Sequence, residues 1–259
     1  MGLQRAKMKI KNGKYLSLIC SLLTVAAILI LWTLAAAAVD SEYVLPTVGE
    51  TLSAAVKMFA DKAFYVAMGG TLIRVAIAFS LSFSIALTIA FASYKSEVCG
   101  AVFAPLIKIM RALPTVAVVL LLLFWTNSRV APVIVTMLVV IPTLFTDLSN
   151  AFNGIDRDLT EMCKAFSVPS RERFLKVEFP QVLPSLLNSA GAGLSLNLKL
   201  MVAAEVLAQT ARSAGYLLNT AKVYFEICEM VALVAVIIVA GVIVEYIFAA
   251  FAKKAAERL

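Results

Sequence analysis

Six long apolar runs constrain the fold of this chain more than any other feature. They cover residues 16–39, 71–93, 105–126, 130–150, 184–208 and 230–251. Each is close to the roughly 20 residues that an α-helix needs to cross the hydrocarbon layer of a bilayer. Because every backbone polar group inside a membrane must find its partner within the protein, the runs predict six transmembrane helices in an all-α membrane protein.

The composition agrees with a membrane location. Hydrophobic residues make up 62% of the chain and charged residues 15%, whereas a soluble domain carries about 25% charged residues. The chain has no His and four widely separated Cys, which argues against a metal site or a disulfide framework. We therefore expect no separate soluble domain and no metal or other cofactor bound by this chain.

The distribution of Lys and Arg predicts the orientation. If the N-terminus is cytoplasmic, 16 of the 23 basic residues lie in cytoplasmic segments, 5 lie outside and 2 lie within spans. This asymmetry satisfies the positive-inside rule. Both termini are therefore predicted to be cytoplasmic, and the protein is predicted to be a multi-pass protein of the inner membrane. The net charge of +7 follows from these loops and does not indicate nucleic-acid binding.

The first apolar run has two interpretations. A basic segment precedes it and four alanines, 35–38, follow near its end, as in a cleaved signal peptide. Its 24 residues exceed the roughly 7–15 of a signal-peptide core, which favours a retained helix. The predicted organisation is then a cytoplasmic tail over 1–15, a transmembrane domain over 16–252 and a second cytoplasmic tail over 253–259.

The longest cytoplasmic segment, residues 152–183, contains a pattern typical of a partner-binding helix. Leu159, Met162, Cys163 and Phe166 recur at helical spacing, which predicts an apolar stripe on a short helix. Pro169 disfavours continuation of that helix and predicts a second short helix after it. An apolar stripe on a cytoplasmic helix favours insertion into a groove of another protein, although a solvated connector has the same composition.

This loop resembles that of the permease subunits of binding-protein-dependent ABC importers. The family's loop has the form E-A-A, then three residues, then G. Glu161 matches the Glu, Met162 and Cys163 stand at the two alanines, and Ser167 stands at the glycine. The similarity is greatest to the nitrate/sulfonate/taurine-type permeases, which include transporters for thiamine precursors. Further segments that look like the family's are 44–48, 111–114, 156–159, 173–180 and 203–205.

The resemblance implies an ABC importer type I permease fold and a set of partners. These are a second copy of the chain, a cytoplasmic ABC ATPase dimer and an external solute-binding protein. The chain has no G-x-x-x-x-G-K-[ST] motif, so it is not expected to be an enzyme, and the partner ATPase is expected to use the ATP. The residues implied in coupling to that ATPase are Leu159, Glu161, Met162, Cys163, Lys164, Phe166 and Ser167.

Charged residues within the predicted spans are candidates for a translocation path, because such charges are costly in a bilayer. Arg74, Lys199 and Glu205 are the candidates. Arg74 could instead reach the interface, and Lys199 could either attract an anionic or thiamine-precursor-like solute or form a structural ion pair. Six residues separate Lys199 from Glu205, so the two point about 120° apart on one helix. Glu245 is expected near the cytoplasmic interface.

The main alternative function is an ion-coupled secondary transporter. Such a protein needs coupling-ion sites at mid-depth, usually carboxylates or broken helices, and no inverted half-repeat is visible in this chain. Loss of uptake on depletion of ATP, but not on addition of an uncoupler, discriminates the ABC importer from this alternative. A membrane-embedded enzyme is disfavoured because the chain has no His.

Overall fold

A computed structural model describes the backbone of residues 2–41 and 44–257, with the side chains of all of these except residues 2–18, 21 and 22. The basic side chains of the predicted N-terminal tail and Arg258 therefore lie outside the described part. The described chain is helical. Its elements are α1 (Gly2–Val39), α2 (Val48–Ala60), α3 (Lys62–Lys95), α4 (Glu97–Ala112), α5 (Thr115–Trp125), α6 (Ala131–Asn153), α7 (Arg157–Ala165), α8 (Ser170–Arg173), a π-helix (Phe174–Glu178), α9 (Phe179–Ala208), α10 (Ala214–Val223) and α11 (Ile227–Ala256).

Four helical stretches of the described chain are individually long and apolar enough to cross a membrane. They are α3, α6, the continuous stretch Ser170–Ala208 that includes α9, and α11. They correspond to the second, fourth, fifth and sixth predicted spans. The first predicted span lies within α1, whose described apolar part is the shorter Leu23–Val39.

The prediction of the third span as one continuous helix over 105–126 is wrong. The structure has two helices there, α4 and α5, which are bent by 95° at the break between them. Leu113 takes an extended conformation with ψ 125°, because the ring of Pro114 disfavours the helical conformation of the preceding residue. The α4–α5 pair is therefore a broken span or a re-entrant segment.

The chain forms two compact units, one comprising residues 1–60 and 221–232 and the other residues 61–220 and 233–259. In the first unit, Thr47 and Glu50 form a reciprocal cap at the start of α2. The Thr47 N–H donates to Glu50 Oε2 at 2.7 Å and the Glu50 N–H donates to Thr47 Oγ1 at 3.3 Å, as the spacing predicts. The hydrogen bond from the Thr47 backbone lowers the pKa of Glu50.

In the second unit, α3, α6 and α9 surround an apolar core. Ala86, Leu144, Leu148 and Val182 are buried there. Gly193 lets α9 approach α6 closely, because a Cβ at this position would lie 2.5 Å from Leu144 Cδ2. The run of small residues around Gly193 therefore has a packing role, as small-residue faces have in many membrane helices.

Candidate coupling loop and translocation path

The short helix α7 has a defined cap at each end. At its start, the Asp156 carboxylate accepts from the N–H groups of Asp158 and Leu159 at 2.9 and 3.3 Å. At its end, the Ser167 N–H donates to the Lys164 carbonyl and the Val168 N–H donates to the Cys163 carbonyl, both at 2.9 Å. These bonds form a Schellman motif, in which the residue after the C-cap is left-handed. Ser167 has that conformation, with φ 53°.

We expect Ser167→Gly to stabilise the end of α7 by about 1 kcal/mol, because a left-handed conformation costs an L-residue roughly 1–2 kcal/mol and glycine little. Hydrogen exchange at the amides of α7 should slow in this variant. The matched control is Ser170→Gly in α8, which is not left-handed and should gain no such protection. Unchanged or faster exchange in Ser167→Gly would contradict the strain at this position.

The predicted apolar stripe of α7 divides between the protein interior and its surface. Phe166 is 77% exposed, and Leu159 and Met162 are also exposed, whereas Cys163 is only 8% exposed. We call Leu159, Met162 and Phe166 the coupling patch. The Cys163 side chain is buried on the inner face of α7. The coupling patch is the part of the stripe that remains available to another protein.

Glu161 and Lys164 are exposed on α7 and line a small cavity beside it. This cavity has a volume of about 230 Å³. Its wall also includes Tyr94 at the end of α3 and Arg157 at the start of α7. Glu161 and Lys164, both implied in coupling by the family resemblance, thus lie next to one recess.

The segment that follows α7 is fixed to the core by a carboxylate that the sequence analysis did not identify. Glu178 is 1% exposed; its Oε1 accepts from Arg173 Nε at 3.0 Å and its Oε2 from Lys95 Nζ at 3.2 Å. Lys95 Nζ also lies 4.6 Å from the centre of the Tyr94 ring. The only sequence signal was the position of Glu178 within the family-like segment 173–180.

The loop is joined to α9 without a break in the helix. The π-helix Phe174–Glu178 connects α8 to α9, and the Phe179 N–H donates to the Phe174 carbonyl. On the α7 side, the Asp156 N–H donates to Gln181 Oε1 at 3.0 Å. Since both ends of the loop are bonded to the start of α9, a displacement of α7 would be transmitted to that helix.

At the other end of α9, Arg74 and Glu205 form a buried ion pair. Arg74 Nε lies 2.7 Å from Glu205 Oε1, and the two side chains are 14% and 0% exposed. Glu205 Oε2 accepts from Thr71 Oγ1 at 2.8 Å and from the Gly215 N–H at 3.3 Å, and Thr71 Oγ1 accepts from the Ala214 N–H at 2.8 Å. This network connects α3, α9 and α10.

Gly215 is required for this network. A Cβ at this position would contact Glu205 Cβ and would lie 2.6 Å from the backbone nitrogen of Val206. Backbone atoms cannot move away as a flexible side chain can, so the start of α10 approaches α9 only because residue 215 has no side chain.

Lys199 lies apart from that network, as its angular separation from Glu205 predicts. Its Nζ is 3.9 Å from Glu245 Oε1 on α11, and the two side chains are 56% and 48% exposed. The charged groups of Glu245 and Lys199 therefore lie at the same level along α11 and α9. The helices approach closely here, because a Cβ on Gly241 would lie 3.0 Å from Ser195 Oγ.

The three residues predicted for the translocation path thus belong to two separate ion pairs. Arg74 and Glu205 are paired and enclosed, whereas Lys199 is accessible from outside the protomer and pairs with Glu245. Among the described residues, no group of three His, Cys, Asp or Glu could hold a metal ion.

Comparison with known proteins identifies the family of this chain. Residues 82–257 match the family described as binding-protein-dependent transport system inner membrane component. None of the curated proteins matches the chain significantly.

Solved structures show the same fold. The structure described as an amino acid ABC transporter with histidines has 16% identity and a TM-score of 0.63, over 74% of this chain and 94% of that one. An inward-facing structure of the MetNI methionine ABC transporter has 16% identity and a TM-score of 0.62, over 72% and 93% of the respective chains. With its family match and its apolar helices, this chain belongs to the binding-protein-dependent transport system inner membrane components and is a multi-pass inner-membrane ABC importer permease.

Proposed function

We propose that the chain forms, with a second copy of itself, the translocation path of an importer for a small anionic or thiamine-precursor-like solute. The proposed subtype is the nitrate/sulfonate/taurine type, to which the sequence is similar. The permease is a non-catalytic subunit in this proposal. A cytoplasmic ABC ATPase dimer binds and hydrolyses ATP, and an external solute-binding protein delivers the solute. The structural relatives are described as ABC transporters, which supports the ATPase partner.

The observation that carries this proposal is the accessible pair of charges on α9 and α11. Lys199 and Glu245 are about half exposed in the single protomer. Charged groups in a membrane span face protein or water and not lipid, because burial of a charge in hydrocarbon is costly. This face of the protomer is therefore expected to lie against a second copy or along a water-filled path, and Lys199 would supply positive charge for an anionic solute.

We expect Lys199→Met to reduce uptake at least tenfold, while the protein still inserts and copurifies with the ATPase. Uptake of radiolabelled solute into vesicles that contain ATP measures this effect. The matched control is Lys108→Met on α4, which removes the same charge outside α9 and α11 and should leave uptake unchanged. Failure of Lys199→Met to accumulate in the membrane would instead support a structural ion pair, and normal uptake would exclude Lys199 from the path.

The proposed topology has six spans and two cytoplasmic termini. The first span lies in α1 and the third is the broken pair α4–α5. Together with the four long spans they make six. The proposed domains remain a cytoplasmic tail over 1–15, the transmembrane domain over 16–252 with the coupling loop over 152–183, and a tail over 253–259. Residues 258 and 259 of this last tail lie outside the described part of the chain.

Single cysteines in a cysteine-free protein test this topology. Asn153→Cys and Lys253→Cys should react with a membrane-impermeant maleimide only from the cytoplasmic side, and Asp61→Cys only from outside. All three positions are exposed. Labelling of Asn153→Cys from outside would show that α4–α5 does not cross the membrane, since α6 would then run in the opposite direction.

A further inference from the structure

A second site lies at the end of the molecule where α11 finishes and α9 begins. A cavity of about 760 Å³ is present there, lined by Lys176, Pro180, Leu183, Leu187, Phe251, Lys254 and Ala255. Five of these seven residues are apolar and the other two are cationic. The cavity shares no lining residue with the Arg74–Glu205 network or with the Lys199–Glu245 pair.

The two lysines give the cavity an anion-binding character. Both are exposed, and no carboxylate is among the lining residues. Lys176 Nζ donates to Glu172 Oε2 at 2.8 Å, but Glu172 is itself 54% exposed, so a phosphate could compete for this lysine. Lys254 has no hydrogen bond or ion pair with another described residue. An exposed cation beside apolar walls fits a ligand with an anionic head and an apolar body.

The surface of α11 continues the apolar wall toward the middle of the membrane. Val239, Ile243, Ile247 and Phe251 are all exposed and are spaced four residues apart, so they form one stripe that ends at the cavity. Glu245 is two residues from both Ile243 and Ile247 and therefore points about 200° away from each of them. The stripe thus belongs to a face of α11 that the Lys199–Glu245 pair does not occupy.

We propose that this cavity binds an anionic phospholipid, with the phosphate at Lys176 and Lys254 and an acyl chain along the stripe of α11. A basic pocket between transmembrane helices at the membrane surface is a recognised type of site for anionic lipid headgroups. The Lys and Arg distribution places this end of both helices on the cytoplasmic side, where anionic headgroups are available. Lys176 lies in the π-helix that connects α8 to α9, so bound lipid would also stabilise that connection.

Native mass spectrometry of the full chain in detergent, titrated with dioleoyl phosphatidylglycerol or dioleoyl phosphatidylcholine, tests the proposal. The wild-type chain should bind phosphatidylglycerol more tightly than phosphatidylcholine. Lys176→Gln/Lys254→Gln should weaken that binding about 30-fold, at about fivefold per lysine near an anionic surface. The matched control, Lys108→Gln/Arg157→Gln, removes the same charge from the same side and should bind as the wild type does. Lys176→Arg/Lys254→Arg should retain binding.

Four results would overturn the proposal. They are equal binding of the two lipids, retention of phosphatidylglycerol by the Gln double variant, loss of binding in the Arg double variant, and displacement of the lipid by equimolar glycerol 3-phosphate. The last would show that the site recognises a soluble phosphate. In the second case, loss of the dimer in the Gln double variant would identify the cavity as a protomer interface. The measurement needs neither ATPase nor solute, so its outcome is independent of the proposed function.

Discussion

Glu205→Ala is expected to lower the free energy of unfolding by about 3–5 kcal/mol, the usual cost of removing one partner of a buried ion pair. The substitution leaves the Arg74 guanidinium enclosed without its carboxylate and removes the acceptor of Thr71 and of the Gly215 N–H. Denaturation of the purified protein in mixed micelles, followed by circular dichroism, measures the change.

The double variant Arg74→Met/Glu205→Leu should be less destabilised than Glu205→Ala alone, because it removes both charges and leaves no buried ion without a partner. The matched control is Glu172→Ala, which breaks an ion pair of similar length, 2.8 Å, whose side chains are 73% and 54% exposed. Exposed pairs contribute little, so its stability should hardly change. Equal effects of Glu205→Ala and Glu172→Ala would show that the Arg74–Glu205 pair does not stabilise the protein.

Phe166→Ala is expected to weaken binding of the ATPase 10- to 100-fold. Burial of this side chain in a partner's groove would contribute about 1.5–3 kcal/mol, and each 1.4 kcal/mol corresponds to a tenfold change in affinity. The permease itself should still insert and dimerise, because Phe166 is exposed in the protomer. Copurification of the ATPase at a series of concentrations measures the loss.

The matched control is Phe124→Ala, since Phe124 on α5 is 84% exposed and lies outside the loop. It should leave the ATPase bound. Glu161→Ala should retain the ATPase but uncouple ATP hydrolysis from transport, because Glu161 lies at the rim of the coupling patch and not within it. Normal copurification and normal transport in a Phe166→Ala/Glu161→Ala double variant would exclude residues 152–183 as the coupling element.

Local signals predicted much of the architecture. Hydropathy located the four long spans, because a run of apolar side chains long enough to cross the membrane is satisfied only as a helix. Spacing alone predicted the cap of α2 by Thr47 and Glu50, since both groups lie within one helical turn. The resemblance aligned Ser167 with the glycine of the related loops, and the structure shows that this residue is left-handed, with φ 53°.

The break between α4 and α5 shows where local signals were insufficient. Five prolines lie in or at the ends of apolar runs. Pro132 lies in the first turn of α6, Pro105, Pro142 and Pro184 are accommodated inside helices, and Pro114 separates two helices. A proline inside a helix costs the same backbone hydrogen bond at each position. Proline alone therefore does not predict the break. In the structure the residues just before it are held to α6, since the Arg111 guanidinium donates to the Pro142 carbonyl at 3.1 Å.

The sequence by itself therefore determined the four long spans, the cap of α2, the family and the presence of charges in the spans. Only the tertiary structure decided the partners of those charges, because pairing depends on how neighbouring helices are rotated and on their register. Arg74 and Glu205 are 131 positions apart, and nothing local connects them. In the same way, periodicity placed Cys163 and Phe166 on one stripe of α7, but packing against the core turned Cys163 inward and left Phe166 exposed.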